Sequence, residues 1–184
     1  GSITGLAAGG LPSSALTGAI PSSTLPAGTV IQCVTDTTTA RTDNNGNTYL
    51  TISGLSVTMT PRAANSKFYA IFEGHFYVDY GGSGSNAAHG IGYNIYKDGT
   101  RFTTSPNDSG GGENSERPYD WYNDGAHRTV ARLMKTGQGT FGSTSAATFT
   151  VKFKAYYANS QYTVRLNESG SETQAQLTVM EIAV

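Results

Sequence analysis

One cysteine in 184 residues excludes an internal disulfide and leaves no thiolate pair for a Cys-based metal site. It is Cys33, in the stretch "VIQCV", where a small buried hydrophobe is the expected role. Charge is scarce too. Asp, Glu, Lys and Arg make up 14% of the chain, against roughly 25% in ordinary soluble domains. The net charge is −1 and the twelve basic residues are scattered singly, so nucleic acid is not an expected partner. No apolar run approaches the roughly 20 residues of a membrane span, so membrane insertion is not expected either. The initiator Met is missing, and an opening Gly1-Ser2 reads as a cloning scar or the start of an excised piece.

Gly, Ser, Thr and Asn fill the space that charge leaves. That composition disfavours helices and favours strands joined by turns. The length suits one compact domain plus an appendage. Without disulfides, stability must come from core burial or from oligomerisation.

The appendage is residues 1–28. Within it "LPSSALTGA" (11–19) is followed by the similar "IPSSTLPAG" (20–28), with no charge before Asp36 and no aromatic before Tyr49. Single apolar residues recur every three to five positions: Ile3, Leu6, Leu11, Leu16, Ile20 and Leu25. Pro12, Pro21 and Pro26 break any helix and push the preceding residues towards extended backbone. Such a chain cannot bury its own hydrophobes, but it can when bundled with copies of itself. We therefore expect a self-associating stalk or docking segment, with Leu6, Leu11, Leu16, Ile20 and Leu25 as the oligomerisation contacts. The alternative is a flexible linker, which Gly/Ser-rich composition also suits.

From Thr29 to Val184 the pattern is period-two alternation, the mark of half-buried strands. "FYAIFEGHFYVDY" puts Phe68, Ala70, Phe72, Gly74, Phe76, Val78 and Tyr80 on one face. "ATFTVKFKAYY" opposes Phe149, Val151 and Phe153 to Thr148, Thr150, Lys152 and Lys154. Shorter strands are expected in "TVIQCVT", "YLTI", "GLSVTMTP", "HGIGYNIYK", "TRFTT", "RTVARLM", "YTVRL" and "AQLTVMEIAV". Asp98-Gly99 and "DNNGN" (43–47) are hairpin and turn signals. Many short strands without a helix predict an all-β head, an antiparallel β-sandwich of jelly-roll type, over 29–184. The last strand carries Leu177 and Val179 on one side and Met180, Ile182 and Val184 on the other. A strand apolar on both faces is central or covered by a neighbouring subunit.

Familiar catalytic patterns are weak. "GQGTFG" (137–142) has the spacing G-x-G-x-x-G but runs into a strand rather than a helix, so its glycines are expected in turns. His75, His89 and His127 lack ligand spacing. His75 falls on the face opposite the apolar one, where a solvent-side or interface role is expected. No G-x-S-x-G elbow accompanies His127. Glu113, Glu116, Asp120 and Asp124 share a loop, but a Gly-rich loop is a poor scaffold for paired catalytic carboxylates. The same oxygens lack an EF-type calcium spacing. No cofactor, metal or catalytic residue is assigned. Sequons occur at Asn107 and Asn167.

The loop itself, "SPNDSGGGENSERPYDWYNDG" (105–125), is the longest stretch without strand character and holds the single tryptophan. Loops of that length in compact domains are commonly functional. Tyr119, Asp120, Trp121, Tyr122, Asn123 and Asp124 combine flat aromatic faces with donors and acceptors, as contact with a glycan or a protein surface requires. Trp121 folded back to plug the end of the sandwich is an equally open reading.

"LPAGTVIQCV", "SGLSVTMTPRAANSKFYAIFEGHF", "YKDGT", "ATFTVKFKAYY" and the closing "QLTVMEIAV" resemble the C-terminal domains of bacteriophage tail-fibre and related virion fibre proteins, particularly of marine and cyanobacterial phages. The resemblance spans most of residues 3–184, and its motifs are structural. It implies a trimeric β-sandwich tip on a slender stalk, exposed on the virion and adsorbing to a host surface. Expected partners are two further copies of the chain, other virion proteins through residues 1–28, and a host glycan or protein at residues 119–124. Alternatives are a purely structural capsid or tail decoration protein, and a carbohydrate-binding module of a larger enzyme.

Overall fold

Alternating sequence becomes strand almost wherever the chain is described. The computed structural model describes residues 25–80, 91–102, 115–116, 127–155, 162–167 and 173–184. The strands are β1 (Val30–Thr38), β2 (Thr42–Asn44), β3 (Leu50–Met59), β4 (Lys67–Tyr80), β5 (Ile91–Lys97) and β6 (Thr100–Arg101). They continue with β7 (Ser115–Glu116), β8 (His127–Thr140), β9 (Ala147–Ala155), β10 (Tyr162–Leu166) and β11 (Ala175–Ile182). No helix occurs among the described residues. Every strand pairing among them is antiparallel.

The strands form two layers, a six-stranded and a five-stranded sheet. Several short strands are collinear pieces of longer ribbons. β11 pairs with the first half of β4 and β10 with the second half, both on the edge of β4 that β8 leaves free. β1 and β2 continue the same relation one strand further out. β6 and β7 share the edge of β5 that faces away from β9. Counted as ribbons, the first pairs with the last (β1/β2 with β10/β11). Next inward come β3 with β9, β4 with β8, and β5 with β6/β7. The chain is thus a long hairpin whose pairs nest and then wrap into two layers.

The inward faces follow the alternation. Phe68, Ala70, Phe72, Phe76 and Val78 of β4 meet Phe149, Val151 and Phe153 of β9, all buried. At one end Phe68 packs edge-on against Phe102, Phe141 and Phe149 at ring separations of 4.9, 5.3 and 5.0 Å. At the other, Phe76 lies 5.4 Å from Phe153 and 5.7 Å from Tyr93. Such pairs add to the gain from burial alone. Leu177 and Val179 are buried in the same core, and β11 is a central strand, flanked by β1 and β4.

Three local expectations need correction. Cys33 is exposed; it pairs with Met180 on the outer face, because the alternation of β1 turns Val34 towards the core instead. "YLTI" and "GLSVTMTP" are one strand, β3, whose register with β9 shifts between Thr51 and Ser56 around Gly54, at φ 68°. Gly137 and Gly139 sit inside β8 rather than in a turn. Gly139 pairs with Phe68, and a Cβ there would lie 2.6 Å from Phe68 Cζ, so the aromatic ring occupies the space a side chain needs. The Asp98-Gly99 turn forms as expected, with φ of 50° and 79°.

One inward residue breaks the apolar rule. Glu181 is fully buried, and its carboxylate is saturated by donors. Gln32 Nε2 donates to Oε2 at 2.6 Å, and Ser66 Oγ to Oε1 at 2.5 Å. The Arg62 N–H donates to both oxygens at 2.9 and 3.1 Å, and the Ala63 N–H to Oε1 at 3.3 Å. A buried carboxylate is tolerable only when so supplied. Here it ties the last strand to the β3–β4 turn.

Candidate functional site

The direction of the strands gives the head two distinct ends. At the first, the residue 26–29 turn closes on the C-terminal strand: Gly28 N donates to Ala183 O and Ala183 N to Thr29 O, each at 2.9 Å. Val30 pairs with Ile182, and Ile182 with Lys67 at the start of β4. This is the end at which residues 1–24 join the head. At the opposite end Tyr80 pairs with both His127 and Tyr162, while Ile91 pairs with both Glu116 and Ala155. The chain departs from and returns to this second end through segments 81–90, 117–126 and 156–161.

Tyr119, Asp120, Trp121, Tyr122, Asn123 and Asp124 lie outside the described residues, as do Leu6, Leu11, Leu16 and Ile20. Leu25 is half-buried. The anchors of the 105–125 stretch are described. The chain leaves β6 beyond Arg101, returns at β7 against Ile91 and Gly92, and resumes in β8 opposite Tyr80. The short strand β7 lies inside a stretch whose sequence shows no strand character.

Next to those anchors, the outer face of β5 is closed by aromatic and cationic groups. Asn94 Nδ2 donates to Tyr49 Oη at 2.9 Å. Lys152 Nζ lies 4.5 Å from the Tyr96 ring centre and Lys154 Nζ 5.1 Å from that of Tyr49. The aliphatic stem of Lys154 also passes over Gly92, 3.1 Å from where a Cβ would stand. Lysine stems and ring faces thus cover a strand buried on both sides.

The outer face of the other sheet carries a polar cleft of about 430 Å³, lined by Glu73, His75, Arg132, Thr173, Gln174 and Gln176. It arises where β10 stops at Leu166 and β11 begins at Ala175, so that on the edge away from β8 no described strand pairs with Gly74 and His75. Asn167, at φ 51°, turns the chain away there, its N–H donating to His75 O at 3.1 Å. Arg132 forms an ion pair with Glu73 diagonally across the β4–β8 pairing.

Glu73 and His75 share a face by alternation. That Arg132 and Gln176 join them depends on pairings between distant strands, so only the β4 half was available to sequence reasoning. Asn167 cannot serve as a glycan acceptor in the folded head: it is fully buried and its Nδ2 donates to Thr38 O at 3.0 Å.

Two carboxylates titrate below their ordinary range. Hydrogen bonding from Arg41, with Arg165 contributing next, holds the Asp43 carboxyl down against the opposing effect of partial burial. The Thr148 N–H does the same for Asp98, assisted by Lys97. The first pair bridges β2 and β10, and the second closes the β5–β6 turn. Among the described residues no group of three or more His, Cys, Asp or Glu is placed to hold a metal ion. No protein-family model matches the chain, and no curated protein is similar to it in sequence.

Proposed function

We propose that this chain is a non-enzymatic structural subunit of a bacteriophage virion, a fibre or appendage protein that assembles as a homotrimer on the particle surface and mediates attachment to the host. The observation that carries the reading is the polarity of the head. The uncharged leader joins one end, and segments 81–90, 117–126 and 156–161 spring from the other. A receptor-binding tip needs that arrangement, because the end fixed to the particle cannot also be the end that meets the host.

The nested strand pairs support reading the two layers as a β-sandwich of jelly-roll type, an architecture used by viral and lectin domains. Fold alone names no function; the polarity and the leader narrow it. Three leaders wound together bury the Leu and Ile residues that one extended chain leaves exposed, and they also dock to other virion proteins. Residues Tyr119, Asp120, Trp121, Tyr122, Asn123 and Asp124 supply the host contact, a glycan or protein surface. Three weak contacts on one trimer gain avidity through effective concentration.

The test is adsorption of the labelled intact protein to a panel of bacterial and cyanobacterial cells. Binding to a subset of strains, lost in Trp121→Ala with assembly unchanged, is the expected result. Assembly without adsorption to any strain indicates a decoration subunit with a purely structural role.

A further inference from the structure

We propose that the cleft between Glu73, His75, Arg132, Thr173, Gln174 and Gln176 is a second binding site, one that takes a neutral saccharide unit. It lies on the outer face of the six-stranded sheet and is lined by none of residues 119–124 among those described. It rests on the adhesion reading for its use but not for its chemistry.

The lining selects the ligand class by elimination. Among the described residues the lining has no aliphatic side chain and no Phe, Tyr or Trp, so an apolar ligand gains little burial there. An anion meets the Glu73 carboxylate, and the Arg132 guanidinium, the one among the described lining residues, is already paired with it. Among the described lining residues a cation finds a single carboxylate, itself paired with Arg132. What the walls offer is a dense mixture of acceptors and donors: carboxylate, guanidinium, imidazole, hydroxyl and two amides. A polyol matches that mixture, because each hydroxyl both donates and accepts. A carboxylate accepting sugar hydroxyls makes the stronger, charge-assisted kind of hydrogen bond.

The groups are also held in place. Glu73 and His75 sit on the central strand β4, Glu73 is fixed by Arg132, and the Gln176 amide donates to Thr178 Oγ1 at 3.1 Å. Rigid strands position a site better than loops do. The volume of about 430 Å³ falls in the roughly 300–1,000 Å³ range of small-molecule sites. With no Phe, Tyr or Trp ring among the described lining residues, a single site binds in roughly the 1–10 mM range, and display of several copies on one particle makes such affinity useful.

Saturation-transfer NMR on the intact chain tests this with methyl α-D-mannoside, methyl α-D-glucoside, methyl β-D-galactoside and, separately, inorganic phosphate. The expected result is a saturable signal from at least one glycoside. It weakens by about fivefold or more in His75→Ala and in Gln176→Ala and is unchanged in Trp121→Ala. Both cleft variants replace partly exposed residues and are checked for an unchanged unfolding midpoint. A glycoside signal retained alongside failed adsorption to every cell strain removes the adhesion reading and leaves the cleft standing. Three results overturn the proposal: no saturable signal from any glycoside, binding of phosphate in their place, or a signal that survives both cleft substitutions and disappears with Trp121→Ala.

Discussion

Ser66 Oγ donates to Glu181 Oε1 across 2.5 Å at the leader end of the head, joining the β3–β4 turn to the final strand. Together with the N–H groups of Arg62 and Ala63 and the amide of Gln32, this makes the Glu181 carboxylate the common acceptor of four donors. Glu181→Ala takes the acceptor from the Arg62 and Ala63 N–H groups, while Ser66 Oγ keeps Ala63 O and Gln32 Nε2 keeps Thr60 O, and a loss of about 2–4 kcal/mol is expected. Glu181→Gln keeps the volume and one acceptor oxygen, with an expected loss of about 1–3 kcal/mol. Urea unfolding at constant m-value measures both. An alanine variant as stable as the parent contradicts the assigned role.

Gly139 is required by a ring rather than by a turn. A methyl group there meets Phe68 Cζ at 2.6 Å and Cε1 at 2.9 Å, and Phe68 is wedged among Phe102, Phe141 and Phe149. Gly139→Ala is expected to cost about 1–3 kcal/mol through overpacking. In a Phe68→Leu background the same substitution should cost clearly less, since the clashing ring edge is gone. Equal costs in the two backgrounds exclude the clash as the cause.

Asp43 gives the head a small acid-sensitive contribution. Arg41 engages both carboxylate oxygens and Arg165 reaches Oδ1 at 3.1 Å across the β2–β10 pairing. The folded-state pKa therefore lies below the ordinary 3.8. The stabilisation is present in full above that ordinary value and is lost as pH falls through the depressed one. Asp43→Asn should cost less than about 1 kcal/mol at neutral pH because the pair is well exposed to solvent. The gap from the parent shrinks with added salt and closes as the pH drops below 3.8. Unfolding midpoints across pH measure it, and a gap that widens on acidification contradicts the assignment.

Much of this architecture was legible before any coordinates. Alternation in "FYAIFEGHFYVDY" and "ATFTVKFKAYY" is local, and it separated Phe68, Phe72 and Phe76 from Glu73 and His75 correctly. The Asp98-Gly99 turn is equally local, since only certain residues accept two successive positive φ angles. What stayed hidden depends on partners distant in sequence. Gly137 and Gly139 look like turn residues until Phe68 is known to lie opposite. Cys33 looks apolar and buried until the phase of β1 is fixed. Glu181 shares the face of Leu177 and Val179 by alternation, but no local pattern shows that the β3–β4 turn supplies its donors. The cleft needs β8 and β11 registered against β4, with Gln176 more than a hundred residues from Glu73, and no local pattern encodes that.

The assembly state of the intact chain, measured by light scattering, tests the central claim most directly. Truncation should remove residues 1–24 and stop short of Pro26 and Gly28, whose hydrogen bonds to Thr29 and Ala183 belong to the head. Three subunit masses are expected for the intact chain and a weakened or abolished trimer for the truncated one, with the head still folded. A monomer whose mass is the same with and without the leader contradicts that claim.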